Sequence, residues 1–195
     1  MDEIREKKRK IRDDMARLIQ EMSEDEIAEK TQLIEERLFE FANFMESRIP
    51  LLYMNQGPEV ATDRIIRHCF TVNKIVILPA FNKDKLTMVP YKVDDMKADL
   101  TMGVRGVPEP DPKKCKKLPI KNIDIAIVPG YAFDEKGGRI GSGQGYYDRL
   151  IPRLAATTRK VALTFDDVII PQIPMESHDK FVDIIITEKR IIYKI

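Results

Sequence analysis

"IDIAIVPGYAFDEKGGRIGSGQGYYDRL", residues Ile123 to Leu150, carries the signals on which the fold turns. Its opening run, Ile123 to Val128, is apolar except for Asp124 and stops at Pro129–Gly130. A short run of this kind reads as a strand buried on both faces, the pattern of a parallel sheet covered by helices. A sharp turn follows at Gly137–Gly138, then glycines at 141, 143 and 145, and then a helix predicted from about Tyr146 to Ala155. The chain has nine glycines in 195 residues, so three at alternate positions stand out.

Working outward, four more runs have the same texture: Ile49–Met54, Lys74–Pro79, Lys160–Phe165 and Val182–Thr187. A helix predicted over Thr62 to Thr71, with Thr62 as its cap, lies between two of them. This alternation predicts an α/β fold, a three-layer α/β/α domain with a central, mostly parallel sheet. Leu86 to Val93 reads as an antiparallel strand near a sheet edge. Residues 94 to 121 hold Pro108, Pro110, Pro112 and Pro119 and form a long connection, a place where function often resides. At the N-terminus, helices are expected over residues 2 to 21 and from Glu24 to Asn43. Ser23 is the cap of the second, and Glu26 completes a capping box. Residues 1–195 are therefore expected to form a single domain, with the N-terminal helices (1–45) packed on it.

Composition narrows the function. Thirty-three basic residues face 32 acidic ones, so overall charge offers no argument for nucleic acid. "KKCKK" (Lys113 to Lys117) could touch RNA, but no aromatic platform adjoins it, and a solvated loop is the favoured reading. Cys69 and Cys115 form no metal-binding pattern. Neighbours His68 and Cys69 point about 100° apart on a helix, which favours packing over chemistry. The N-terminus is too charged for a signal peptide, and no apolar run of about 18 residues follows. The expectation is a soluble, cytoplasmic protein, a monomer or weak dimer that engages no membrane and no nucleic acid.

Glycines permit positive φ and close backbone approach, so consecutive N–H groups can converge on an anion. Phosphate binding is the functional reading of Gly141, Gly143 and Gly145; a tight loop without ligand is the bland one. The spacing matches neither a Walker A loop nor a Rossmann fingerprint. Asp148, one turn into the helix, could hold Mg²⁺ against phosphates or simply favour the helix dipole. Of Tyr146 and Tyr147, one is expected to meet a ligand and the other to fill core.

The segment Val128–Leu150 resembles the signature of the 5-formyltetrahydrofolate cyclo-ligase (methenyltetrahydrofolate synthetase) family. "KKRKIR" (Lys7–Arg12), "EMSEDE" (Glu21–Glu26), "GPEVATDRII" (Gly57–Ile66), "VPEPDP" (Val107–Pro112) and "IPMESHDKFVDIIITE" (Ile173–Glu188) resemble the same family in the same order. The resemblance implies conversion of 5-formyltetrahydrofolate to 5,10-methenyltetrahydrofolate with ATP as co-substrate and Mg²⁺ as metal. It implies that Lys8 and Arg12 grip ATP phosphates from one helical face. Arg139 and the loop Gly141, Ser142, Gly143, Gln144 and Gly145 complete the nucleotide site. Asp148 would hold Mg²⁺, and Glu59 and Glu109 would contact folate. Tyr146 would sit where formyl group and phosphate meet, which makes Tyr146 and Glu59 the catalytic candidates. Glu59 also lies after a strand and before a helix, where α/β proteins place ligands. Ala80, Ser142, Gln144 and the pair Asp166/Asp167 depart from the family pattern. These departures keep open a non-catalytic or substrate-altered folate- or nucleotide-binding relative.

Overall fold

A computed structural model describes residues 2–194. Helix α1 spans Asp2–Gln20, α2 Glu24–Phe39, α3 Ala42–Glu46, α4 Asp63–Thr71 and α5 Tyr146–Leu150. The strands are β1 (Pro50–Leu51), β2 (Ile77–Asn82), β3 (Thr87–Lys92), β4 (Leu100–Met102), β5 (Pro108–Pro110) and β6 (Lys116–Lys117). They continue with β7 (Ile125–Ile127), β8 (Ala132–Phe133), β9 (Arg139–Ile140), β10 (Arg159–Leu163), β11 (Ile184–Ile186) and β12 (Ile191–Tyr193).

Eight strands form one sheet in the order β12-β11-β10-β7-β1-β2-β3-β6. The five apolar runs supply its parallel centre, β11-β10-β7-β1-β2. Alternate side chains explain why these runs must be apolar throughout. Leu52, Ile125, Ile127, Val161 and Leu163 face one layer, where they meet Ile34 and Leu38 of α2, Phe44 of α3 and Ile65, Ile66 and Cys69 of α4. Leu51, Ala126, Val128, Ala162 and Ile185 face the other, with Tyr146, Tyr147 and Leu150 of α5. Helix α1 lies apart from both clusters in part: Ile11 and Met15 pack on Ala132, Ile140 and Ile173. The α/β three-layer arrangement is the expected one.

Local expectations fare unevenly. β3 is antiparallel to β2 and lies one strand from the edge, which two-residue β6 closes. Antiparallel β12 forms the opposite edge, a strand the sequence reading lacks. The helix expected to reach Asn43 breaks at Phe41, whose extended backbone (ψ 117°) buries its ring beside Phe44. Helix α5 stops at Leu150 and tightens into a 3₁₀ turn over Ile151–Arg153. Pro152 is the reason: it has no N–H to give the carbonyl four residues back. Ser23 Oγ accepts the Glu26 N–H (3.1 Å) as expected, while the Glu26 carboxylate pairs with Lys30. Thr62 does not cap α4; its hydroxyl donates to the Tyr53 carbonyl and ties the loop after β1 to itself.

The topology also places a ligand crevice. From β1 the chain moves through α4 to β2 on one side. From β7 it moves through α5 to β10 on the other. The carboxyl ends of neighbouring β1 and β7 therefore flank a switch point, where open α/β sheets bind their ligands. Two loops rise there: residues 52–62, which hold Glu59, and residues 128–145, which hold the glycines.

Candidate active site

Two cavities open above these strand ends. The first, of about 490 Å³, is bounded by Arg5, Lys8, Arg9 and Arg12 of α1, by Glu59, and by the glycine loop. The second, of about 510 Å³, is bounded by Gln56, Gly57, Lys83 and Tyr131. Arg105, Ser142 and Tyr146 line both, so the cavities meet at a seam between the glycine loop and the β4–β5 hairpin.

The glycine loop is shaped as its sequence demands. Gly143 (φ +100°) and Gly145 (φ +67°) occupy conformations that L side chains rarely adopt. Among the described residues, none of the backbone N–H groups from Ser142 to Gly145 donates to a backbone acceptor. These donors are left for solvent or for an anion. Arg12 fixes the near side of the loop, its Nε donating to the Gly141 carbonyl at 2.8 Å.

Beneath the loop lies Arg139, only 6% exposed. One Nη donates to the Pro129 carbonyl (3.3 Å), and the other meets Asp148 Oδ1 at 2.9 Å. The Lys180 N–H donates to the same Asp148 oxygen (3.0 Å). Arg139 therefore braces the loop while lining the first cavity, which Asp148 lines as well. Across the cavity, Lys8 Nζ sits between Glu176 Oε2 (2.8 Å) and Asp179 Oδ2 (2.5 Å). Burial alone would lower the Lys8 pKa; bonds to Asp179 and Glu176 reverse this and hold it above its ordinary value. Lys8 correspondingly draws the Glu176 carboxyl below the usual range.

Glu59 is the other pole. It is buried, accepts the Gln56 N–H at 2.8 Å, and burial pushes its pKa up to about 7. Arg105 and Arg139 oppose that rise without cancelling it. The two tyrosines do not divide as expected. Both are buried in the second apolar layer, and both hydroxyls lack a protein partner although both line the first cavity. Tyr146 also packs edge-on against Phe81, with ring centres 4.8 Å apart.

Not every candidate converges. Gln144 reaches only the second cavity, and its carbonyl accepts an Arg149 guanidinium. Glu109 lines neither cavity as described. It is buried under the hairpin, where its carboxylate accepts the Phe81 N–H at 2.9 Å. Gly103 packs directly on it, and a Cβ there would fall 2.0 Å from the carboxyl carbon. Conversely, sequence reasoning missed Arg105, Glu176 and Asp179. Their signals were an arginine among the glycines of "GVRG" (103–106) and two acids in "MESHDK" (175–180), just ahead of a buried strand. His68 and Cys69 are structural as expected: the imidazole stacks on Phe39 at 4.0 Å, and burial raises the thiol pKa to about 12. Among the described residues, no helix is long and apolar enough to cross a membrane.

A parallel sheet with a glycine loop and a buried carboxyl at its switch point is the arrangement in which open α/β proteins bind small-molecule ligands. The family is settled by likeness: the chain belongs to the 5-formyltetrahydrofolate cyclo-ligase family, whose model matches residues 4–188. It is 30% identical to the probable 5-formyltetrahydrofolate cyclo-ligase of Caenorhabditis elegans, over 96% of each chain. It is 38% identical to the 5-formyltetrahydrofolate cyclo-ligase of Mycolicibacterium smegmatis, over 75% of this chain and 76% of that one. The solved Aquifex aeolicus 5,10-methenyltetrahydrofolate synthetase superposes with a TM-score of 0.84 at 27% identity, covering 96% of this chain and 92% of that one.

Proposed function

We propose that this enzyme converts 5-formyltetrahydrofolate to 5,10-methenyltetrahydrofolate, spending ATP and releasing ADP and phosphate. The observation that carries the reading is the seam: a basic cavity lined by the glycine loop joins a second cavity at Tyr146. One cavity suits a polyphosphate and the other a flat, polar ring system. Their junction is where a phosphoryl group can pass between substrates.

A formyl oxygen is a poor leaving group until phosphorylated. Its lone pair attacks the γ-phosphorus, the bond to ADP breaks, and ADP departs with the electron pair. The N5 lone pair moves into the N5–carbon bond. N10 then attacks the formyl carbon and loses its proton, the carbon–oxygen bond breaks, and phosphate leaves. No covalent protein nucleophile is needed. The chain must align the substrates, balance phosphate charge and exclude water.

Arg12 and Lys8 flank the phosphates from α1, the latter exchanging its carboxylate partners for ligand oxygens. The N–H groups from Ser142 to Gly145 receive the remaining phosphate charge. Arg139 keeps the loop in place through its bonds to Pro129 and Asp148. The donor set suits Mg²⁺, a hard cation that takes carboxylate and phosphate oxygens. Asp148 would hold it through the oxygen not shared with Arg139, and the ion would neutralise phosphate charge. Glu59, which lines the first cavity, orients by hydrogen bonds the part of the folate that crosses the seam, and Tyr146 offers its unpartnered hydroxyl there. Glu109 acts indirectly, by holding Phe81 against Tyr146. Cytoplasmic residence and a monomeric or weakly dimeric state fit this role.

The test is direct: mix protein, 5-formyltetrahydrofolate, ATP and Mg²⁺ and follow the near-ultraviolet band of the methenyl product. An ATP-dependent rise is expected. Folded protein that binds both substrates without forming product would point instead to a non-catalytic relative.

A further inference from the structure

Arg105 sits at the tip of the β4–β5 hairpin, in the long connection between β3 and β6. Its guanidinium lies over the face of Phe81, 4.4 Å from the ring centre, and 6.0 Å from that of Tyr146. Two hydrogen bonds lock the tip to the loop after β1: Arg105 Nη2 donates to Gln56 Oε1 (2.8 Å), and Gln56 Nε2 donates to the Arg105 carbonyl (2.9 Å). The cation is therefore positioned from three sides by neutral groups. Among the described residues, no carboxylate approaches its nitrogens within the 4.0 Å of an ion pair. Arg12 is likewise held by a neutral partner, the Gly141 carbonyl, whereas Arg9 pairs with Glu6 and Arg139 with Asp148. A guanidinium has five N–H donors, and one is engaged by Gln56. A half-buried, rigidly held cation at a junction, with Glu59 and Glu109 near enough to feel its charge but no carboxylate in direct contact, is suited to an oxyanion that arrives there.

We propose that Arg105 is a catalytic residue of the phosphoryl-transfer step, a guanidinium supplied by the enzyme's own hairpin that contacts the phosphoryl group as it crosses the seam. The proposal rests on the reaction given above. In that step the formyl oxygen gains a bond to phosphorus as the bond to ADP breaks, and negative charge spreads over the moving phosphoryl oxygens. A fork of N–H donors at the junction stabilises that charge more than the ground state of either substrate. Phe81 and Gln56 are then positioning residues. So is Glu109, which holds the Phe81 backbone from below.

Such arginines are worth about 10³-fold or more in turnover elsewhere. Arg105→Ala should thus lower kcat at least ~100-fold, with the KM for each substrate moving less than about threefold. Adding guanidinium at tens of millimolar, roughly, should restore part of the loss by refilling the vacated space. Arg105→Lys, which keeps charge without the fork, should fall between. Gln56→Ala frees the tip but keeps the guanidinium and should cost about tenfold. Circular dichroism and melting curves accompany each variant. A merely structural hairpin clasp predicts that Arg105→Ala and Gln56→Ala act alike and that guanidinium rescues neither; that result overturns the proposal. So does an Arg105→Ala enzyme whose kcat stays within threefold of the parent. Folded parent protein that makes no methenyl product overturns the reaction itself, and the Arg105 assignment with it.

Discussion

The two ends of the cleft handle charge in opposite ways. At the α1 end, almost every charged group has met its partner before any ligand arrives: Lys8 with Glu176 and Asp179, Arg139 with Asp148, Arg12 with a loop carbonyl. At the other end, Glu59 is buried with a single backbone donor and a pKa near 7, and Arg105 is held by Gln56 with no carboxylate in direct contact. The first end is preorganised by pairing and must rearrange to take a polyanion. The second is held by packing, and its opposite charges act on one another without direct ion pairs. Substitutions at the first end should therefore disturb structure and turnover together, whereas those at the second should separate them.

The sharpest way to break this contrast is at Asp148. Asp148→Asn removes the ionic partner of a buried arginine and the proposed metal ligand together. Turnover is expected to fall by roughly 10²–10³-fold, the scale of losing one charge-stabilising group, and the melting temperature should fall too. Steady-state rates across a Mg²⁺ titration check it. Unchanged turnover at limiting Mg²⁺ would remove Asp148 from the metal site.

A smaller effect is expected at Gly143. Alanine there must adopt φ +100°, and its Cβ would stand 3.5 Å from the Arg12 guanidinium. Strain of this kind costs about 1–3 kcal/mol, so the KM for ATP should rise roughly tenfold while that for the folate stays put. Substrate titrations of Gly143→Ala measure both. A rise in the folate KM alone would reverse the assignment of the two cavities.

The contrast also explains what the sequence discloses. Five buried strands are legible because an apolar run of four to six residues has few other fates, and all five pair as read. The glycine loop is legible because φ +100° at Gly143 leaves a mark in residue type. β12 is not, since two half-buried isoleucines followed by an exposed tyrosine make too short a run to show a strand pattern. Thr62 misleads for a different reason: its hydroxyl has two acceptable uses, and the Tyr53 carbonyl, nine residues back, wins over the helix N-terminus. Arg105 stays hidden because nothing local marks it. Its position depends on Gln56 and Phe81, which lie 49 and 24 residues away in sequence.

Glu59 gives the second end a pH signature. Its pKa is raised from 4.5 to about 7 by burial, so the folded state holds the proton more tightly than the unfolded one. Stability is unaffected below about 4.5, declines as pH rises towards 7, and stays lower above it. The loss amounts to roughly 3 kcal/mol at most. Glu59→Gln should remove this dependence, melting closer to the parent at pH 5 and higher than it at pH 8. Its activity should suffer chiefly through the folate KM. Thermal unfolding at the two pH values checks the first claim; identical pH dependence in both proteins would mean that Glu59 is solvated and charged.

The smallest effect is expected outside both ends, in the lysine run. Lys116 and Lys117 form β6 opposite Lys92 and Tyr91, so their side chains leave opposite faces of the sheet edge. Lys114 bends back to the Ala98 carbonyl at 2.9 Å, and Cys115 between them is buried. Four lysines adjacent in sequence thus point in several directions and make no single track for a phosphate backbone. Replacing all four by serine should leave methenyl formation within about twofold, because these lysines line neither cavity and surface charge is screened within roughly 8–10 Å at ordinary salt. Retention of RNA on a filter should not change either. Salt-sensitive retention that disappears in the variant would show that the edge strand gathers its lysines into a patch, and would give the enzyme a second, polyanionic partner away from the cleft.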